Sequence, residues 1–234
     1  MKKDDKRHLI TSTNPKSPIA EAFRTLRTNI HFSALDRPFK TIMITSAGPG
    51  EGKSTTLANL AVAMAQAGAK VLVIDCDLRK PVQHRVFEVS GLKGITNILV
   101  EQADIDITIQ SAAVERLSVL PCGPIPPNPS ELLGSNRMQD LLEHLKNKFD
   151  IILIDSPPVV AVTDAAILSA QVDGVILVLR AGVARIDMVK QTKEQIEKAN
   201  GKIIGTVLYG TKVSEEDYHY YYYYGEKKGK RKNA

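Results

Sequence analysis

The sequence predicts an α/β fold with a mostly parallel central sheet and helices on both faces, and three observations carry that prediction. Solid aliphatic runs recur at Val71 to Ile74, Ile151 to Ile154 and Val175 to Leu179; strands that read apolar at every position are buried on both faces, as in parallel sheets. Segments with apolar residues at helical spacing lie between them, so strand and helix alternate. One further run, Ile42 to Ile44, enters a glycine-rich turn that ends in Gly52-Lys53-Ser54-Thr55 and opens a helix.

The 234 residues suffice for one large α/β domain, and 43% hydrophobic with 24% charged residues is ordinary for a globular chain. No apolar run approaches the ~18 residues of a membrane helix. The N-terminus, Met1-Lys-Lys-Asp-Asp-Lys-Arg-His8, has no apolar signal core, so a cytoplasmic location is expected. Cys76 and Cys122 show no zinc or redox spacing, which argues against a disulfide framework or structural metal. The net charge of +5 is concentrated at Glu226-Lys-Lys-Gly-Lys-Arg-Lys232, read as a solvated end with nucleic acid not expected as a partner.

Taken in order, residues 1–17 lack periodicity and read as a mobile arm, residues 18–212 as the folded domain, and residues 213–234 as a flexible tyrosine-rich and basic tail. A helix opens at Ser17-Pro18, with serine as cap, and Ile19, Ala22, Phe23, Leu26 and Ile30 form its apolar stripe. Glu21, Arg24 and Arg27 make a charged ridge beside it, which spacing alone assigns to an i, i+3 ion pair. After the glycine-rich turn, Leu57, Leu60, Ala61 and Met64 line a helix ending at Gly68. The strand at 71–74 ends in Asp75-Cys76-Asp77, and residues 82–115 read as short helices, one of them at Ile95 to Val100. A strand at Leu117 to Leu120 runs into the proline-rich Gly123 to Pro129, after which Ser130 is the expected cap of a helix carrying Met138, Leu141, Leu142 and Leu145. The run to Asp155 is broken by Ser156-Pro157-Pro158, and a helix at 185–199 precedes a last strand at Ile203 to Tyr209.

The turn Gly48-Pro49-Gly50-Glu51-Gly52-Lys53-Ser54-Thr55 is a phosphate cradle: backbone N–H groups and a helix N-terminus face an anion, Lys53 reaches the β/γ-phosphates and the Ser54 hydroxyl reaches Mg²⁺. The fold is therefore P-loop NTPase-like, although Ala47 stands where the common pattern starts with glycine. Asp155, ending an apolar strand, has the place of a second metal carboxylate. Asp75 and Asp77 add two carboxylates where open α/β sheets bind ligands. One can help hold Mg²⁺ while the other takes the proton of an attacking hydroxyl; the plainer alternative is a turn anchored by Asp77–Arg79 pairing.

The stretch Val71-Leu-Val-Ile-Asp75-Cys-Asp77-Leu-Arg79-Lys-Pro81 resembles the Walker A′ motif of the bacterial tyrosine kinases. Glu21-x-x-Arg24-x-x-Arg27, Ala47 to Thr55, Gly123-Pro-Ile-Pro-Pro-Asn-Pro-Ser-Glu-Leu-Leu133, Ile154-Asp-Ser-Pro-Pro158 and the tyrosine tail extend the likeness over residues 17–224. The resemblance is to the Gram-positive type. It implies an ATP- and Mg²⁺-dependent cytoplasmic protein-tyrosine kinase, recruited to the inner face of the membrane by a transmembrane, polysaccharide co-polymerase-like activator. It further implies a cognate phosphotyrosine phosphatase, a role in capsule and exopolysaccharide production, and tyrosine-containing protein substrates. On it, Lys53, Asp75, Asp77 and Asp155 are catalytic, with Ser54, Asp75 and Asp155 on the metal; the base is left open between Asp75 and Asp77. It also turns Glu21, Arg24 and Arg27 into interface residues of a ring-shaped homo-oligomer. The wider class often carries Asn near the end of the last strand to read adenine, whereas this chain has Tyr209-Gly210.

Tyr218, Tyr220, Tyr221, Tyr222, Tyr223 and Tyr224 are six of the seven tyrosines. Adjacent residues point in different directions and each buried phenol needs a partner, so no core explains the cluster. It reads as an autophosphorylation site, each phosphate adding about −1.5 to −2 charges, enough to expel the tail from an ATP site and dissolve the oligomer. The rival reading is a non-kinase P-loop ATPase switch of the partitioning or septum-placement class. That class resembles Lys-Gly-Gly-x-Gly-Lys, and this loop lacks the early lysine. A eukaryotic-type kinase is excluded by the absence of His-Arg-Asp and Asp-Phe-Gly.

Overall fold

A computed structural model describes residues 9–34, 38–101 and 103–211. The tail tyrosines, Tyr218 and Tyr220 to Tyr224, lie outside the described residues. In chain order the elements are α1 (Ile10–Thr13), α2 (Pro18–Phe32), β1 (Thr41–Ser46), α3 (Lys53–Ala65), β2 (Val71–Asp75), α4 (Gln83–Val86), α5 (Ile95–Glu101), α6 (Ile105–Thr108) and β3 (Gln110–Ser111). There follow β4 (Leu117–Leu120), α7 (Pro129–Leu133), α8 (Asn136–Lys146), β5 (Ile151–Asp155), α9 (Asp164–Ser169), β6 (Gly174–Arg180), α10 (Ile186–Lys198) and β7 (Ile203–Tyr209).

The strands form one sheet in the order β3-β4-β2-β5-β1-β6-β7. Only β3 pairs antiparallel, against β4; the other neighbours run parallel. Alternate residues of each strand serve opposite cores. Ile42, Ile44, Val71, Val73 and Leu153 pack with Leu57, Leu60 and Met64 of α3. Met43, Leu72, Ile74, Ile152 and Ile154 pack with Met138, Leu141, Leu142 and Leu145 of α8. Two buried faces demand apolar residues at both parities, hence the unbroken aliphatic runs. Each such side chain contributes about 1.5–3 kcal/mol, a reserve that lets the sheet carry buried charges at its C-terminal edge.

Four local expectations need correction. From Leu9 onward the N-terminal segment belongs to the folded body: Thr11 is buried, and its backbone N and Oγ1 donate to Asn59 Oδ1 on α3 at 3.0 and 2.6 Å. A polar anchor of this kind leaves no trace in hydrophobic periodicity. On α2, capped by Ser17 accepting from Ala20 N at 3.1 Å, the buried face is Ala20, Phe23 and Ile30. Ile19 is 49% exposed and Ala22 is exposed, because packing on α3 selects the stripe one residue round from the one through Ile19. The helix expected from Ser130 is two helices: Pro129 takes the first turn of α7, the chain breaks at Gly134, and Ser135 caps α8 by accepting from Met138 N at 3.3 Å. Helix α9, between the Ser-Pro-Pro break and β6, was not anticipated.

Candidate active site

The topology gathers the site. Strand β5 lies between β1 and β2, so the C-terminal ends of three parallel strands deliver the phosphate loop, Asp155 and Asp75 side by side. Asp75 and Asp155 are register partners. The loop needs its glycines: Gly50 and Gly52 hold φ of +77° and +93°, which side-chain-bearing residues rarely adopt. It borders a cleft of about 350 Å³ whose walls include Lys53, Ser54, Asp77, Lys80, Arg180 and Tyr209.

Within the cleft, Lys53 Nζ lies 2.9 Å from Asp77 Oδ2, 3.4 Å from Asp155 Oδ1 and 3.1 Å from Ser54 Oγ. Burial pulls the ammonium's pKa down, but Asp155 and Asp77 outweigh it and the value stands above the usual lysine range. Asp75 is fully buried behind this pair. Its Oδ2 accepts from Val82 N and Gln83 N, both at 2.8 Å, and its Oδ1 accepts from Asp77 N at 3.3 Å. Burial first, and the charge of Asp155 second, push its pKa to about 7 despite those amides. Gln83 Nε2 donates to Asp155 Oδ2 at 2.7 Å and to the Ser54 carbonyl at 3.3 Å, leaving Asp155 Oδ1 to face Lys53.

Of the Walker A′ pair, then, Asp77 opens on the cleft and Asp75 anchors the turn at 82–83. Three carboxylates around one ammonium leave the cluster net negative when all are ionised. Ser54 Oγ, Asp77 Oδ2 and Asp155 Oδ1 gather about a single cation, the lysine, and they are the hard oxygen donors that Mg²⁺ takes. Among the described residues no three His, Cys, Asp or Glu side chains could hold an ion unaided.

The anticipated Asp77–Arg79 pairing does not form. Arg79 instead makes a bidentate pair with buried Asp164, Nε to Oδ2 at 2.9 Å and Nη2 to Oδ1 at 3.0 Å, while Asp77 Oδ1 accepts from Lys80 N at 3.0 Å. Two members of the expected phosphate cradle are otherwise engaged: Glu51 is buried and its Oε1 takes the Gly48 N–H at 2.8 Å. Burial raises the Glu51 pKa. Pro49, Gly50, Gly52, Lys53, Ser54 and Thr55 border the cleft. On α2, Glu21 pairs with Arg24 at 2.7 Å, Arg24 also donates to the Pro15 carbonyl, and Arg27 Nη1 donates to Ala63 O at 3.0 Å. Within one chain the Glu21–Arg24 pair is thus the i, i+3 contact that spacing implied, whereas Arg27 reaches across to α3. Cys76 and Cys122 are buried and free.

Sequence reasoning missed Gln83 and Asp164, which sit in segments without periodicity. It also missed Arg180, whose Nη1 donates to Gly50 O at 3.0 Å. A charged residue ending an otherwise aliphatic strand beside the loop was the available signal.

The model of the AAA domain family matches residues 39–204. The chain is 44% identical over 208 residues to tyrosine-protein kinase YwqD of Bacillus subtilis (strain 168), covering 89% of this chain and 88% of that one. It is 43% identical over 213 residues to tyrosine-protein kinase CpsD of Streptococcus agalactiae, covering 91% and 92%. The crystal structure of the chimerical protein CapA2B2 superposes with a TM-score of 0.82 at 44% identity, covering 86% of this chain and 88% of that chain. The septum site-determining protein MinD of Pyrococcus horikoshii OT3, complexed with Mg-ADP, is more distant, with a TM-score of 0.63 at 26% identity over 78% and 76%. The P-loop sheet is shared by all of these, but the extent of identity sides with the kinases: the chain belongs to the family of bacterial tyrosine-protein kinases.

Proposed function

We propose that the chain is an ATP:protein-tyrosine phosphotransferase that phosphorylates its own tail at Tyr218 and Tyr220 to Tyr224, along with other proteins, and so regulates capsule or exopolysaccharide production. The observation that carries this reading is the meeting of Ser54, Asp77 and Asp155 around Lys53 at the wall of one cleft, in a chain related over nearly its whole length to tyrosine-protein kinases. The loop amides and Lys53 bind the triphosphate. Ser54 and Asp155 would hold Mg²⁺, with Asp75 buried next to Asp155, and the ion would supply neutralisation of the charge that develops on the phosphates. Asp77, the carboxylate on the cleft side, accepts the proton of the incoming tyrosine hydroxyl. Gln83 keeps Asp155 turned toward the metal position.

The same reading makes Glu21, Arg24 and Arg27 the contact between neighbouring copies, each presenting its tail to the next site. Exposed Ile19 beside them would gain a partner there. It also gives the chain a transmembrane activator, a reading supported by the match to a two-part chimera, and a cognate phosphotyrosine phosphatase. Among the described residues no helix is long and apolar enough to cross a membrane, so attachment to the membrane would come through that partner. The test is incubation with Mg-ATP, with and without the activator's cytoplasmic segment, followed by detection of phosphotyrosine. Wild type should label and Lys53→Met should not. Robust ATP hydrolysis without tyrosine labelling in any condition would favour the switch reading instead.

A further inference from the structure

The cations around the cleft are not equivalent. Lys53 is held between Asp77 and Asp155, and Arg79 pairs with buried Asp164. Arg180 borders the cleft from the end of β6, where it donates to the Gly50 carbonyl. Lys80 also borders the cleft and is exposed, and among the described residues its ammonium has no acceptor. Its backbone N–H donates to Asp77 Oδ1 at 3.0 Å, so this lysine rides on the same turn as the carboxylate that meets the tyrosine hydroxyl. In the sheet, β5 and β1 stand between β2 and β6. Lys80 therefore flanks the cleft on the Asp77 side, and Arg180 flanks it on the far side of the phosphate loop.

Charge makes that placement matter. An acceptor tyrosine has to approach phosphates and a cluster of three carboxylates around one ammonium. An acidic flank on the acceptor would be repelled there unless a cation met it at the rim. The first tyrosine of the chain's own tail has such a flank: Glu215, Glu216 and Asp217 immediately precede Tyr218, outside the described residues. Neighbouring Cα atoms are about 3.8 Å apart, and lysine carries its charge on a flexible four-carbon stem. With the tyrosine hydroxyl at Asp77, a carboxylate one or two residues before it falls within reach of Lys80. We propose that Lys80 is a specificity-determining residue of the kinase, selecting acceptor tyrosines preceded by acidic residues, with Glu215-Glu216-Asp217-Tyr218 the segment of this chain that fits it. The proposal rests on the tyrosine-kinase reading above.

Steady-state labelling of peptides by the full chain, with Mg-ATP and the activator's cytoplasmic segment, tests it. The acidic peptide spans residues 213–219 and holds one tyrosine; its neutral counterpart carries Glu215→Gln, Glu216→Gln and Asp217→Asn. Wild type should favour the acidic peptide by about fivefold in kcat/KM, the scale of one part-exposed ion pair, with the difference in the peptide KM. Lys80→Ala should abolish the preference and Lys80→Arg should keep it. Lys80→Glu should turn it round in favour of a peptide with Glu215→Lys, Glu216→Lys and Asp217→Lys, a reversal that a merely structural role would not produce. The KM for ATP should not move. A wild type indifferent to the flank would overturn the proposal, as would a Lys80→Ala enzyme that keeps the preference. So would a raised KM for ATP with peptide choice unchanged, which would make Lys80 a phosphate ligand. Absence of labelling on every peptide and on the tail itself would instead remove the kinase reading, and this proposal with it.

Discussion

Replacing Asp75 with asparagine should stabilise the protein, and the gain should depend on pH. The buried carboxyl takes up its proton near pH 7, against 3.8 for an unperturbed group, because of burial and the neighbouring charge of Asp155. Between these values the native state holds a proton that the unfolded chain has released, so stability falls as pH rises through the window and stays low above it. A raised carboxyl pKa thus works in the opposite sense to the usual salt-bridged aspartate. The rise from 3.8 to about 7 corresponds to a ceiling of about 4 kcal/mol; relaxation around the buried group brings the expectation nearer about 2 kcal/mol. Asparagine imitates the protonated form and keeps an oxygen to accept from Val82 N and Gln83 N. For a chain of this size the gain is worth about 4–8 °C in Tm. Thermal unfolding of wild type and Asp75→Asn, followed by circular dichroism without nucleotide or Mg²⁺, should give Tm values that draw together as pH falls toward the unfolded value of 3.8. The variant should pull ahead by pH 8. A difference that does not change with pH, or a variant less stable at pH 8, would refute the electrostatic account of this site. Tyrosine labelling by the variant should fall with either outcome, so stability and activity part company at this residue.

Other perturbations test neighbouring contacts. Lys53→Met removes the one cation of the cluster, and stranding buried charges costs about 3 kcal/mol or more; its Tm at pH 8 should drop without Mg²⁺ and recover in part when Mg²⁺ is added. Arg79→Ala should cost about 2 kcal/mol, because a partner is taken from buried Asp164, and Arg79→Ala/Asp164→Asn should regain most of it in urea unfolding. Gly52→Ala places a methyl group against the Tyr209 ring at a φ of +93°, so triphosphate binding should fail by calorimetry, and adding Tyr209→Ala should restore it only partly because the backbone conformation remains unfavourable.

The elements that were legible in the sequence share one property: their signal is local and repeated. Val71 to Ile74 and Ile151 to Ile154 had to be apolar at every position because both faces of β2 and β5 are buried, and α8 showed its stripe through Met138, Leu141, Leu142 and Leu145. What was not legible depends on single contacts between distant residues. Thr11 finds Asn59, Gln83 finds Asp155, and Arg79 chooses Asp164 over the nearby Asp77. No spacing rule encodes those choices; they arise only once β1, β5 and β2 lie side by side.

That adjacency also explains why a motif match alone could not rank Asp75 against Asp77. Asp75 ends β2 and Asp77 follows two residues later, and their side chains are chemically identical. The chain leaves β2 at Asp75 and turns back toward Val82, so Asp75 faces the amides of that turn while Asp77, one step farther out, meets Lys53. A carboxylate already accepting from three amides has little freedom to follow a moving proton. One held by a flexible ammonium can be released when phosphates draw the lysine away. Binding of the triphosphate and freeing of Asp77 therefore draw on the same lysine, so phosphate arrival and base availability are coupled. A Lys53→Arg enzyme puts this to the test: its longer, bidentate fork would hold Asp77 more tightly. It should bind triphosphate within about tenfold of wild type yet label tyrosine far more slowly; labelling at the wild-type rate would break the proposed link.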